Sequence, residues 1–417
     1  MAVFLRCALR TLLYLGGHRA YFARFGRDVA NVTAPLVLNQ AWLHEEATQK
    51  LFNIFRAKGY ALYFVGGAVR NALMGRGSTD LDLATDALPQ ETVDIARDAG
   101  FKAIPTGFDH GTVTVVAGGI VHEITTFRSD IETDGRHALV RFSRNLLDDA
   151  MRRDFTMNAV YADYEGRVID PLGGLSDLRA GRVVFVGDAT KRIAEDHLRI
   201  LRFFRFHALY GDPMAGLDPQ ALAACAQAIG GISALSSERI GAEMRKLLSA
   251  PNPAPAVSAM QVIGALALIL PGSDTTALGP LVHFEQDKAP NFLRRLAVLG
   301  GSVDAPRLRL SRAEARGLSV LRQEMGTPTQ AAELAYLFGF DLAFSVLLCR
   351  AAVFETPLSG DLAFALALGA GAVFPLRGTD LDPSLLGPQI GARLKYLEQH
   401  WIKSGFTASK LALLALA

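Results

Sequence analysis

Cysteine is scarce in this chain, with three among 417 residues. Cys7, Cys225 and Cys349 lie too far apart to frame a disulfide scaffold or to offer zinc-ligand spacing, and they fit a reduced, intracellular setting. An excess of one charge is also missing: 43 Lys and Arg stand against 41 Asp and Glu, a net +2. That balance excludes a polyelectrolyte surface, so any nucleic-acid contact must come from locally clustered Arg and Lys. Long hydrophobic runs are lacking too. Leu362–Leu376 is uncharged but only 15 residues long and contains Pro375, short of the ~18–20 needed to span a membrane. The uncharged stretch Leu247–Ser273 is broken by Pro251, Pro253, Pro255 and Pro271. With 50% hydrophobic and 20% charged residues, the chain is expected to be globular and long enough for two to four domains.

What is present is concentrated first between Tyr63 and Gln90, YFVGGAVRNALMGRGSTDLDLATDALPQ. The apolar run Ala61–Val65 predicts a buried strand ending at Gly66-Gly67, and Ala68–Gly75 has helical spacing. Thr79–Ala84 predicts a second strand, whose alternation puts Asp80 and Asp82 on one face. A lone Asp-x-Asp is ordinarily a solvated strand edge, and a lone Gly-Gly a turn. In the order strand, Gly-Gly, helix, strand, they can cradle a triphosphate on backbone N–H groups while two carboxylates hold divalent metal beside it.

GGAVRN followed by GSTDLDLATDA resembles the head-domain signature of class II tRNA nucleotidyltransferases and the related bacterial poly(A) polymerases, within the DNA polymerase β-like superfamily. Asn71 departs from the Asp usual there, losing a charge but keeping a short polar side chain. The resemblance covers roughly residues 60–250 and implies an α+β fold: a head with a small mixed sheet and helices, followed by an all-α neck, body and tail. It places an N-terminal extension at 1–36, the head at 37–187, the neck at 188–255, and a tRNA-binding body and tail at 256–417. It also implies Mg²⁺ held by Asp80 and Asp82, with phosphates positioned by Gly66, Gly67, Arg70, Arg152 and Arg153.

Further motifs follow in order. Ala41–Arg56 has the stripe of one helix. Thr112–Ala117, Gly118-Gly119 and Ile120–Phe127 predict a hairpin. Its second strand resembles the family's third catalytic strand and makes Glu123 a candidate third carboxylate, against the alternative of a solvated Glu. Ser129–Asn145 reads as a mobile polar loop. In MRRDFTMNA (Met151–Ala159), resembling the family's RRDxxxN, Asp154 and Asn158 are expected to share a helix face. An Asp acceptor and an Asn amide can bind ribose hydroxyls. Val160–Asp170 predicts a hairpin around Glu165-Gly166, and Arg182–Val186 a short strand.

Lys191–Gly211 reads as one amphipathic helix with Asp196 and Arg199 on the same face. An intrahelical ion pair is one account of them. The other comes from matching donors to acceptors: cytosine and adenine both present an amino donor beside a ring-nitrogen acceptor, which a carboxylate and a guanidinium satisfy. Guanine and uracil reverse the pattern. EDHLR resembles the family's EDxxR, implying that Asp196 and Arg199 select the base, with Glu195 supporting the helix. Beyond Pro251 the helix-period sequence predicts an all-α remainder, in which Arg307, Arg309, Arg312, Arg316 and Arg322 are either a tRNA-phosphate patch or a solvated face.

The expected activity is addition of C, C and A to the tRNA 3′ end from CTP and ATP. Poly(A) polymerase, a partial CC- or A-adding enzyme, and a catalytically silent RNA-binding relative are the alternatives. The expected location is cytoplasmic. Arg6, Arg10, Arg19, Arg24 and Arg27 precede the first acidic residue, Asp28, so a mitochondrial transit peptide is the alternative, as is a plain upstream extension.

Overall fold

The structure, a computed structural model, describes residues 36–77, 81–130, 140–286, 288–302 and 306–416. The Arg-rich segment before residue 36, Asp80, and positions 131–139 lie outside them. The chain divides into two compact units, one up to Ile232 and one from Ser233.

The first unit opens with α1 (Ala41–His44) and α2 (Glu46–Ala57). The single helix expected here is broken at Glu45, whose backbone is extended in ψ (127°). Leu43 is fully buried, and so are Leu51 and Phe55, so the break turns two short apolar faces into one core. Then come β1 (Leu62–Val65), α3 (Gly67–Leu73), β2 (Leu81–Thr85), α4 (Pro89–Asp98), β3 (Lys102–Gly107), β4 (Thr112–Ala117) and β5 (Ile120–Thr126). They are followed by β6 (Arg128–Asp130), β7 (Val140–Phe142), α5 (Leu146–Met151), β8 (Tyr161–Ala162) and β9 (Val168–Ile169). The unit continues through α6 (Gly174–Arg179), α7 (Ala189–Glu195), α8 (Leu198–Tyr210) and α9 (Pro219–Gln227).

Seven strands form one mixed sheet in the order β3-β4-β5-β2-β1-β8-β9. Among the described strands only β2 and β5 run parallel, and this pairing brings the Asp-x-Asp strand beside the strand carrying Glu123. The β4–β5 hairpin closes at Gly118-Gly119, both with positive φ, as a tight two-residue turn requires. Alternation then sorts the faces. His122, Ile124 and Thr126 are buried on one side of β5 while Val121 and Glu123 are exposed on the other. At the far edge, β8 and β9 pair around the expected Glu165-Gly166 turn, and residues 36–38 run along that hairpin, Leu38 N–H donating to the Gly166 carbonyl (2.8 Å).

Two further expectations are corrected. Positions flanking 131–139 are not loop, because β6 and β7 pair antiparallel in a separate ladder from Arg128↔Phe142 to Asp130↔Val140. Arg182–Val186 forms no strand; its one bridge, Phe155↔Phe185, serves packing, with Phe155 and Phe185 rings 4.9 Å apart.

Among its described residues the second unit has helices and no strand. It contains α10 (Ser237–Leu248), α11 (Ala254–Val262), α12 (Ala265–Ile269), α13 (Leu278–Glu285), α14 (Phe292–Leu299) and α15 (Arg312–Glu324). After these come α16 (Ala331–Phe338), α17 (Phe340–Phe354), α18 (Leu362–Gly371), α19 (Pro388–Lys403) and α20 (Lys410–Leu414). A mixed sheet with helices followed by an all-helical remainder is the architecture expected from the sequence. Among the described residues no helix is long and apolar enough to cross a membrane.

Candidate active site

The parallel β2–β5 pair sets Asp82 and Glu123 directly opposite each other in register. Cross-strand partners share a face, so the two carboxylates stand side by side, Asp82 half-buried and Glu123 exposed. Gly66 ends β1 above them with φ 67°. A Cβ built there would lie 3.6 Å from Arg153 Nη1 and 3.9 Å from Asp82 Oδ2. Space is therefore ample, and it is the left-handed backbone that selects glycine. Gly67 begins α3 beside the Arg70 guanidinium, 3.7 Å from its own would-be Cβ. Hard, anionic oxygen donors of this kind suit a divalent cation such as Mg²⁺, so the residues fit that group. Among the described residues there is no cluster of three or more potential metal ligands, and Asp80 lies outside them.

Arg153 is held from below. Its Nη2 and Nε donate to Asp149 Oδ2 (2.8 and 3.1 Å), its Nε also to the Tyr161 hydroxyl (3.0 Å), and its Nη1 to the Asn158 carbonyl (3.4 Å). Tyr161 donates to the same Asp149 oxygen (2.8 Å). Burial alone would lower the Arg153 pKa, but Asp149 and Tyr161 outweigh it and hold the guanidinium above its ordinary value. The result is a fixed cation beside Gly66. Arg152 is half-buried next to it.

Arg70 is only 6% exposed. Its Nη1 donates to Asn158 Oδ1, its Nη2 to Tyr210 (2.8 Å) and Asn71 (3.1 Å), and its guanidinium lies 4.1 Å from the Tyr210 ring. Burial draws its pKa below the ordinary value. Arg70 thus binds α3 to α8, and Asn71 supplies an amide oxygen to the same guanidinium.

Asp154 and Asn158 do meet, though not on a helix face. The α-helix stops at Met151, Asp154 follows it, and Thr156–Asn158 is a single 3₁₀ turn. That tighter winding lets Asn158 Nδ2 donate directly to Asp154 Oδ1 (2.8 Å). The other oxygen, Oδ2, accepts from Arg202 Nε (2.8 Å) and from Arg202 Nη2. Burial would raise the Asp154 pKa. The Arg202 charge, with hydrogen bonds from Asn158, Arg202 and the Phe155 N–H, outweighs it and holds the carboxyl below its ordinary range.

Lys191–Gly211 is two helices, where the apolar spacing predicted one. Asp196 is extended (φ −157°, ψ 104°) between α7 and α8. Its Oδ1 accepts the Leu198 N–H (3.1 Å) and its carbonyl the Arg199 N–H (3.0 Å), so the side chain that was to sit mid-helix starts a new one. Arg199 reaches back to α7, its Nη1 donating to the Arg192 carbonyl (2.7 Å) and pairing with Glu195. Glu195 also pairs with Arg192 (3.0 Å). Asp196 and Arg199 therefore bracket a helix junction, both half-buried.

Sequence reasoning missed Asp149, Tyr161, Arg202 and Tyr210, which hold the named residues in place. Arg202 left a signal, lying three residues after Arg199, and so did Asp149, four residues before Arg153. In the second unit the arginines part company. Arg322 is a cap, its Nη1 donating to the Gly301 carbonyl (2.9 Å), whereas Arg309 pairs with Glu238 at the surface (3.0 Å) and Arg312 and Arg316 are exposed.

Residues 62–184 match the family described as poly A polymerase head domain, and residues 216–276 the family described as probable RNA- and SrmB-binding site of polymerase A. The chain is 32% identical over 394 residues to CCA tRNA nucleotidyltransferase 1, mitochondrial, of Mus musculus, covering 89% of this chain and 90% of that protein. With the Homo sapiens protein of the same name the identity is 40% over 207 residues, and the aligned part is 49% of this chain and 48%, about half, of that one. Among solved structures, the Bacillus stearothermophilus CCA-adding enzyme in complex with CTP matches with a TM-score of 0.69 at 29% identity, covering 86% of this chain and 93% of that chain.

Proposed function

Because this chain belongs to the CCA tRNA nucleotidyltransferase family, we propose that it adds C, C and A to the 3′ end of tRNA, using CTP and ATP and releasing pyrophosphate. The observation that supports the reading is the presence of three parts in one unit: the Asp82–Glu123 pair on β2 and β5, the fixed Arg153 cation against Gly66, and the Asp196–Arg199 junction.

Asp82 would hold Mg²⁺ together with Asp80 and with assistance from Glu123. When bound, such ions lower the pKa of the attacking 3′-hydroxyl and stabilise charge on the triphosphate and its leaving group. The protein's own groups do the rest. Gly66 and Gly67 let phosphates approach the backbone, and Arg153, kept cationic by Asp149, faces them with Arg152 and Arg70 behind. Asp154 and Asn158 receive the ribose. Asp196 accepts from the exocyclic amine of C or A, and Arg199, whose Nη1 is taken by Arg192 and Glu195, offers its remaining N–H donors to the ring nitrogen.

The division into extension (1–36), head (37–187), neck (188–255) and tRNA-binding body and tail (256–417) belongs to this reading. So does a cytoplasmic location, with mitochondrial import as its rival; N-terminal processing of the full chain in isolated mitochondria separates the two. The activity is tested by supplying each labelled NTP with Mg²⁺ to tRNA lacking its 3′ end and to an unrelated oligoribonucleotide. Two C and one A on tRNA alone, lost in Asp80→Ala and Asp82→Ala, is the expected result. Long A-tracts on either RNA would make it a poly(A) polymerase, C or A alone a partial enzyme, and no incorporation a silent RNA-binding relative.

A further inference from the structure

Asp154 is tied on both oxygens, and the two ties come from different elements. Oδ1 accepts from Asn158 Nδ2 (2.8 Å) and the Phe155 N–H (2.8 Å), within its own turn. Oδ2 is taken by the Nε and Nη2 edge of Arg202, which stands on α8 one turn beyond Arg199. Asn158 is in turn gripped by Arg70 of α3. A chain of polar contacts thus runs Arg70–Asn158–Asp154–Arg202, from the Gly-Gly helix to the helix that begins at the Asp196 junction. An Arg–carboxylate contact through two N–H donors fixes the carboxylate plane as well as its position, which a Lys ammonium cannot do.

We propose that Arg202 is a positioning residue for sugar selection: by holding Asp154 Oδ2 through Nε and Nη2, it presents Asp154 to the ribose hydroxyl and makes that contact depend on where α8 lies. Arg199 and Arg202 are three residues apart on one helix, about 4.5 Å along its axis. Any displacement of α8 would therefore move Arg199 and the grip on the ribose carboxylate together. Base and sugar are checked by one rigid element. The inference rests on the proposed ribose role of Asp154.

The test measures kcat and KM for CTP, ATP, dCTP and dATP with the full chain and tRNA acceptors, for wild type, Arg202→Gln, Arg202→Lys, Asp154→Ala and the Asp154→Ala/Arg202→Gln double variant. Arg202→Gln is expected to reduce the ribo-over-deoxy ratio of kcat/KM about tenfold, chiefly through ribonucleotide KM, with Arg202→Lys recovering only part. In the double variant Arg202→Gln should leave that ratio where Asp154→Ala alone puts it. Equal losses on ribo- and deoxyribonucleotides, or ratios that multiply in the double variant, would overturn the inference. Should Arg202→Gln fail to fold, Arg202→Lys decides by the same ratio. If Asp154→Ala itself leaves the ratio unchanged, the ribose role falls and the inference with it. If Asp154→Ala changes the ratio but neither Arg202 variant does, the inference alone falls.

Discussion

Asp154 shows how much of the site depends on the side chains that hold it in place. Its carboxylate is 11% exposed, and its charge persists because Arg202, Asn158 and the Phe155 N–H replace lost water. A carboxyl held below its ordinary value of 3.8 contributes stability that is fully present above that value and is lost as pH falls through the lower folded pKa. Urea-unfolding midpoints of wild type and Asp154→Asn should therefore differ at about pH 6 and converge as pH falls below about 4. A gap that stays constant across this range would show that the carboxylate's charge contributes nothing to stability. Beneath Arg153, the 2% exposed Asp149 carboxylate likewise has its lost water replaced, by the Arg153 guanidinium and the Tyr161 hydroxyl. Tyr161 could not have been assigned from sequence, because its bond to an acceptor twelve residues away follows from β8 packing behind α5, which no local pattern records.

At the scale of elements, the α7–α8 junction departs most from the sequence reading. The apolar residues Ile193, Leu198, Leu201 and Phe204 do have helical spacing and are all buried, so periodicity correctly found the core face. It could not detect a break that preserves that face on both sides. The break is packed as well as capped. A Cβ on Gly231 would lie 1.8 Å from His197 Cδ2, so the Ile229–Ala234 turn lets the His197 ring sit on bare backbone. Gly231→Ala is expected to destabilise the first unit by about 1–3 kcal/mol through overpacking, and to weaken discrimination of CTP and ATP from UTP and GTP. Adding His197→Ala should restore thermal stability in part. A Gly231→Ala protein with wild-type melting and base selection would mean the junction tolerates displacement.

Across the whole molecule, the second unit has a polar centre of its own. One carboxylate, Glu285 on α13, serves two arginines of α14: Arg294 Nε (2.8 Å) and Arg295 Nε and Nη2 (2.9 and 2.7 Å), all three residues 5% exposed or less. Arg295 also donates to the carbonyls of Leu248 (2.8 Å), Ala250 and Pro251 (3.1 Å), closing the end of α10 and the turn after it. Glu285→Gln leaves two buried guanidiniums facing a neutral amide and should cost about 3–5 kcal/mol. Of the two tryptophans, Trp401 is buried in this unit and Trp42 belongs to the other. In a Trp42→Phe background, the urea midpoint of Trp401 fluorescence should fall accordingly. An unchanged midpoint would mean that desolvation cancels the attraction. Nothing local in the sequence marks this cluster, because the carboxylate that Arg294 and Arg295 share stands on a different helix.

The sequence by itself determined the strands β1, β2, β4 and β5, the Gly-Gly turn, and which residue types gather around it. Those features follow from short-range rules: alternation, helical spacing, and the need for glycine where φ is positive. It determined equally that the chain turns helical after the sheet. Tertiary structure decided which strand lies beside which, and so that Glu123 faces Asp82 across a parallel pairing 41 positions apart. It decided that Asp154 and Asn158 meet in a 3₁₀ turn, that Asp196 ends one helix and begins another, and that Arg70 turns inward. Each of these depends on partners distant in the chain, whose packing and desolvation outweigh local preference.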